Sequence, residues 1–193
     1  MKVRTISFVL IGLSMAFTPG CSKDDDNSTD PCQGILCYNG GVCINGLCDC
    51  PPGYVGGDCS QQDVPSKIII SKIDVTRYPA TLPSGAGWDF TSAPDIYPSL
   101  YKDGSLFWES PTYQENANST SDYVFVVNPP LELTELSAVY QMQLFDFDTF
   151  DADDDMGGVP FQFILGSGGF PSEMTIDAGG AVAFRIHVAY EFD

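Results

Sequence analysis

The chain reads as mainly β: a small disulfide-rich module followed by an antiparallel β-sandwich. Three observations carry this. Six of the seven cysteines, Cys32, Cys37, Cys43, Cys48, Cys50 and Cys59, fall within 28 residues, a density at which cross-links replace a hydrophobic core in a secreted chain. Segments 67–77, 106–109, 123–127, 139–147, 161–165 and 181–192 concentrate β-branched and aromatic residues between Gly, Pro and Asp clusters. The last of them alternates with a period of two, with Val182, Phe184, Ile186, Val188 and Tyr190 on one face and Arg185 and His187 on the other. No stretch of comparable length shows a 3.6-residue period with caps at both ends. Strands with one apolar face must cover it with a second sheet, which predicts a sandwich.

At the N-terminus Lys2 and Arg4 precede an apolar run over residues 6–17. Its length suits a signal peptide and falls short of the roughly 20 residues that a spanning helix needs. Thr18-Pro19-Gly20-Cys21 resembles the lipobox of bacterial lipoproteins, and the acidic run after Ser22-Lys23 resembles the signal that sends Bacteroidetes lipoproteins to the cell surface. The resemblance implies a signal peptide over 1–20, a lipid on Cys21, and a chain anchored to the bacterial outer membrane and exposed at its surface. Residues 21–31 are polar and read as an acidic tether.

The formal charge is −18, from 26 acids and 8 bases. A chain so poor in Lys and Arg makes nucleic acid an unsuitable partner, because phosphate contacts require cations. His187 is the single histidine, so histidine-based zinc or acid–base chemistry is poorly supplied, and His187 reads as an ordinary strand residue. Trp88 and Trp108 read as core side chains.

Residues 32–59 form the cysteine module. Six cysteines allow fifteen pairings by counting alone. The spacing C-x4-C-x5-C-x4-C-x-C-x8-C, with Gly53, Tyr54 and Gly56 between the last two cysteines, resembles the epidermal growth factor (EGF-like) family. That resemblance implies the bridges Cys32–Cys43, Cys37–Cys48 and Cys50–Cys59. Asn39-Gly40-Gly41 supplies a turn tolerant of positive φ. The interval between Cys43 and Cys48 is short for the family, which truncates the central hairpin, and Asp30-Pro31-Cys32 lacks the family's calcium-binding sequence. The module reads as a calcium-free spacer.

Residues 64–193 form the sandwich. Two of its inter-strand segments are crowded with carboxylates: Trp88-Asp89 to Asp95-Ile96-Tyr97, and Asp146-Phe147-Asp148 through Asp151 to Asp153-Asp154-Asp155-Met156-Gly157. Like charges about 5 Å apart repel by roughly 3 kcal/mol at an effective dielectric of 20, so a loop end of this kind calls for a counter-cation. Calcium accepts six to eight oxygen ligands in irregular geometry. An EF-hand is excluded, because counting from Asp151 puts Met156 at the required glycine and Gln162 at the required glutamate. The spacing resembles the C2 domain family, in which two such loops hold calcium, and the turn from Ser110 to Glu115 resembles that family's as well. The resemblance implies Asp89 and Asp95 from the first loop and Asp146, Asp148 and Asp154 from the third as calcium ligands. The basic strand that many C2 domains present to phosphoinositides is absent.

The function expected from these parts is a lipid-anchored, calcium-dependent binding or adhesion module without catalytic activity, presented to a glycan, protein or lipid ligand. The alternatives are a calcium-dependent hydrolase and a non-catalytic subunit of a surface assembly in which calcium is structural. No nucleophile elbow and no histidine-based triad supports the first.

Overall fold

A computed structural model describes residues 30–150, 152–163 and 169–193. The expected signal peptide, Cys21 and most of the expected tether lie outside the described residues, as do Asp151 and Leu165. The described residues contain strands and turns and no helix.

The cysteine module holds two short hairpins. Strand β1 (Val42–Ile44) pairs with β2 (Leu47–Asp49) across Asn45-Gly46. Both turn residues have positive φ, 51° and 89°, the backbone that a two-residue hairpin needs and that Asn-Gly supplies cheaply. Strand β3 (Tyr54–Val55) pairs with β4 (Gln61–Gln62). The bridges join Cys32 to Cys43, Cys37 to Cys48 and Cys50 to Cys59, the pairing that the EGF-like resemblance implies. The module rests on the sandwich through aromatic rings: Tyr54 meets Phe170 edge-on at 5.8 Å, and Phe170 in turn contacts Tyr190 and Phe192 at 5.3 and 4.9 Å.

The sandwich consists of two four-stranded antiparallel sheets. The first has the order β10 (Asp154–Phe161), β9 (Tyr140–Asp146), β6 (Ile96–Lys102), β7 (Ser105–Glu109). The second has the order β11 (Glu173–Ile176), β12 (Ala183–Glu191), β5 (Lys67–Arg77), β8 (Tyr123–Leu133). Their inner faces make one core, in which Ile96, Leu100, Tyr140, Met142 and Leu144 meet Ile68, Ile73, Phe125, Phe184 and Ile186. The alternation of β5 is reset by a bulge at Ser71, where the pairing with both neighbours shifts. Ile68 and Ile70 before the bulge and Ile73 and Val75 after it therefore all face inward.

Two strand expectations need correction. Of the described residues in the segment expected over 161–165, Phe161 ends a strand and Gln162 and Phe163 lie outside it. That strand begins at Asp154, so that the end of the acidic run is the first part of β10. The bulge between Asp155 and Gly157 keeps Met156 and Val159 on the core side of this edge strand. The second correction is β6, expected as a loop around Asp95-Ile96-Tyr97 but paired on both sides. Its Pro98 is tolerated because the β7 ladder ends at Ser99 opposite Glu109, and the Pro98 carbonyl accepts the Ser110 N–H at 3.0 Å beyond that end. The proline nitrogen, which has no proton to give, faces the same side.

On the outer face of the second sheet Asp74, 4% exposed, accepts from His187 Nε2 at 2.9 Å and from Arg185 at 3.5 Å, with Lys72 at 3.9 Å. His187 Nδ1 lies 3.3 Å from Glu173. This histidine belongs to a charge network on a strand surface.

Candidate functional site

The acidic segments leave the same end of the first sheet. Asp146, the last residue of β9, stands opposite Ile96, the first of β6, on one side and Asp154, the first of β10, on the other. Asp146 continues the inward row of Met142 and Leu144, so the strand period itself drives this carboxylate under the loops, where it is 0% exposed.

Its two oxygens are treated differently. Oδ1 accepts the Asp95 N–H at 2.6 Å, while Oδ2 is buried with no hydrogen-bond partner. The carboxyl is pushed up to about pH 6. Burial is the main cause; the Asp95 N–H pulls the other way, and the negative charges of Asp89, Asp148 and Asp95 add to the rise. The negative charges of three of the other four expected aspartates thus bear on the carboxyl that carries this buried, unsatisfied oxygen. An oxygen cut off from water normally finds a partner, and a hard cation supplies one while neutralising the neighbours.

Two of the neighbouring carboxylates are each held by a local donor. Asp95 Oδ1 accepts the Asn116 N–H at 2.7 Å, and Asp89 Oδ2 accepts the Ser92 hydroxyl at 2.9 Å. The first and third loops are joined directly where the Phe147 N–H meets the Asp95 carbonyl at 2.8 Å. Among the described residues the carboxylates are gathered without being closed into a common ligand shell. The residues present fit a calcium ion in their chemistry, and Asp146 Oδ2 is the atom that asks for one.

Asp154, also expected as a ligand, is half-buried and faces Asp146 across the β9–β10 pairing. Asp153 is the member of the run that reaches into the loop: one oxygen accepts the Asp148 N–H at 3.0 Å and the other accepts the Tyr97 hydroxyl at 2.5 Å. Burial first, and then Asp153, push the Tyr97 phenol up. Sequence reading missed this role because three consecutive aspartates do not reveal which one points inward; the bulge after Asp155 decides it. Asp155 turns outward, accepting from Gln143 and from the Gly157 N–H.

Two phenylalanines complete this end. Phe90, next to Asp89, is 102% exposed and Phe150, two residues after Asp148, is 97% exposed. By contrast, Phe147 is stacked on Tyr113 with ring centroids 4.5 Å apart, tying the 110–115 turn to the third loop.

No protein-family model matches the chain. Over 66 residues, 31% of its length, it is 36% identical to the mouse EGF-like repeat and discoidin I-like domain-containing protein 3, and it spans 12% of that protein. Similar solved structures include a C2 domain, at 14% identity and TM-score 0.45 over 65% of this chain and 97% of that one. Human GIVD cytosolic phospholipase A2 gives 13% and 0.47 over 66% of this chain and 17% of that one. A calcium-bound pair of C2 domains from extended synaptotagmin 2 gives 19% and 0.31 over 65% and 46%. Overlaps this weak transfer no function.

Proposed function

We propose that this chain is a calcium-dependent binding module, held at the outer membrane by a lipid on Cys21 and presenting the acidic end of its sandwich to a partner surface. The observation that carries the reading is Asp146 Oδ2, buried and unpartnered beside Asp89, Asp95 and Asp148. Those four aspartates would hold the ion, with Asp154 across the strand pair as a fifth. When bound, calcium supplies positive charge that offsets their repulsion and leaves coordination positions for an anionic group of a glycan, protein or lipid.

The bare rings of Phe90 and Phe150 stand on the two acidic segments themselves, beside Asp89 and Asp148, and this placement supports an amphiphilic surface as the partner. The cysteine module, fixed by Phe170 against the sandwich, acts as a rigid spacer between lipid and binding end. We read the protein as non-catalytic.

Co-sedimentation of the intact chain with vesicles of phosphatidylcholine and phosphatidylserine tests this. The expected result is binding with calcium, none with EDTA, and loss in Phe90→Ala/Phe150→Ala at unchanged thermal midpoint. Binding that is equal with calcium and with EDTA would remove the metal from the reading. Absence of vesicle binding, with the midpoint still raised by calcium, would remove the lipid surface and keep the ion.

A further inference from the structure

Behind the first acidic loop lies a cleft of about 470 Å³, within the size range of sites for small organic ligands. Its walls are the 87–94 segment, with Trp88, Ser92 and Pro94, and the turn with Asn116, Asn118 and Ser119. The two walls are stapled together, the Ala117 N–H donating to the Pro94 carbonyl at 2.7 Å and the Asn116 N–H to Asp95 at 2.7 Å. Trp88 is fixed in place by its indole N–H on the Pro79 carbonyl at 2.8 Å. Asn118 is fixed too, its N–H donating to the Tyr123 hydroxyl at 2.6 Å and its Oδ1 accepting from Thr120. Tyr78, 4% exposed, forms part of the same wall.

None of the lining residues carries a charge, in a chain with 26 acids. The lining thus offers no carboxylate to pair with an ammonium group and no Lys or Arg to pair with an anion. What it offers is an indole, carboxamides and hydroxyls in a pre-formed concavity. That combination matches a ring with an apolar C–H face and a rim of neutral hydroxyls.

We propose that this cleft binds a neutral saccharide, the sugar ring lying against Trp88 and its hydroxyls meeting Asn116, Asn118 and Ser119. This is a second site, distinct from the aspartate cluster, and it stands on the cleft alone. Asp89 lies within the wall segment and Asp95 directly follows it, so the two sites share this stretch of backbone.

Isothermal titration calorimetry of the intact chain with glucose, galactose, mannose, N-acetylglucosamine and their β-1,4-linked disaccharides tests it, with glucuronic acid and choline as charged controls, each in calcium and in EDTA. The expected result is saturable binding of at least one neutral sugar. That binding falls at least about tenfold in Trp88→Ala, as for removal of an aromatic anchor, and returns in part in Trp88→Tyr. Because Trp88 also packs against the core, Ser119→Phe, which fills the cleft from its half-buried rim, gives an independent block. Binding of no neutral sugar, binding of the charged controls in its place, or sugar binding untouched by both Trp88→Ala and Ser119→Phe would overturn the inference. A thermal midpoint indifferent to calcium, together with intact sugar binding, would overturn the metal reading alone.

Discussion

Asp146→Asn separates the charge of the central carboxylate from its shape. The carboxyl is pushed from 3.8 to about 6 in the fold, and at 1.36 kcal/mol per unit this is about 3 kcal/mol of folding stability. The sign follows from the direction of the shift. Below about pH 4 the group is protonated folded and unfolded alike, and the stability is fully present; it is lost as pH rises through 6, where the folded protein must hold an unsolvated charge. Asparagine keeps the acceptor for the Asp95 N–H but puts an unpaired NH2 near the position of Oδ2, which costs about 1 kcal/mol.

Without calcium, then, Asp146→Asn should be more stable than wild type at pH 7 by about 2 kcal/mol and should lose the fall in stability between pH 4 and 6. A difference of that size moves the midpoint of a domain this large by about 6–10 °C. Calcium should narrow the gap, and near about 100 times its dissociation constant close or reverse it. At 10 to 100 times its dissociation constant a cation stabilises wild type by about 1.4–2.7 kcal/mol, whereas the neutral side chain forfeits most of that gain. Differential scanning fluorimetry from pH 4 to 8, in EDTA and in calcium, reads both effects. An Asn variant less stable than wild type in EDTA at pH 7, or one that gains as much from calcium as wild type does, would refute the reasoning.

Other consequences are more local. Asp74→Asn should cost about 1–3 kcal/mol in urea unfolding, because it leaves Arg185, Lys72 and His187 around a site that has lost its charge. Replacing Cys50 and Cys59 together by serine should cost about 2–4 kcal/mol in the cysteine module while leaving the sandwich transition in place, as two resolved steps in a thermal scan. Phe170→Ala should uncouple the module from the sandwich by removing the ring that meets Tyr54, Tyr190 and Phe192; small-angle scattering should then show a larger radius of gyration, and an unchanged radius would place the coupling elsewhere.

Much of this architecture is legible in the residues, and the misses have identifiable physics. The cysteine spacing marks the disulfide module, and the EGF-like resemblance, more than geometry, chooses among fifteen pairings. Interior strands with clean alternation declare themselves: β5 spans the expected 67–77, and β12 lies within 181–192. Strands that break the composition rules do not. Strand β6 carries Pro98 at a point where one neighbouring ladder has already ended, and β10 begins in aspartates and contains Gly157, Gly158 and Pro160, all permissible because it is an edge. Strand β8 runs on through Pro129 and Pro130 for the same reason.

At the site, the C2-like loop spacing implied Asp89, Asp95, Asp146, Asp148 and Asp154, but not that Asp146 is the buried member, since this depends on the inward row of Met142 and Leu144 reaching the strand end. Nor could it assign Asp153 to Tyr97 and the Asp148 N–H, or show that Trp88, read as core, also lines an uncharged cleft. Those facts depend on contacts between segments some 50 residues apart in sequence, such as Asp95 with Asp146, which no local pattern encodes.

The most direct measurement is a crystal structure of the chain grown in saturating calcium, read by anomalous scattering. The account predicts an ion with Asp146 Oδ2 and oxygens of Asp89, Asp95 and Asp148 about 2.3–2.6 Å away. Well-ordered density in which Asp146 Oδ2 remains without a partner, and no ion lies among the four aspartates, would contradict it.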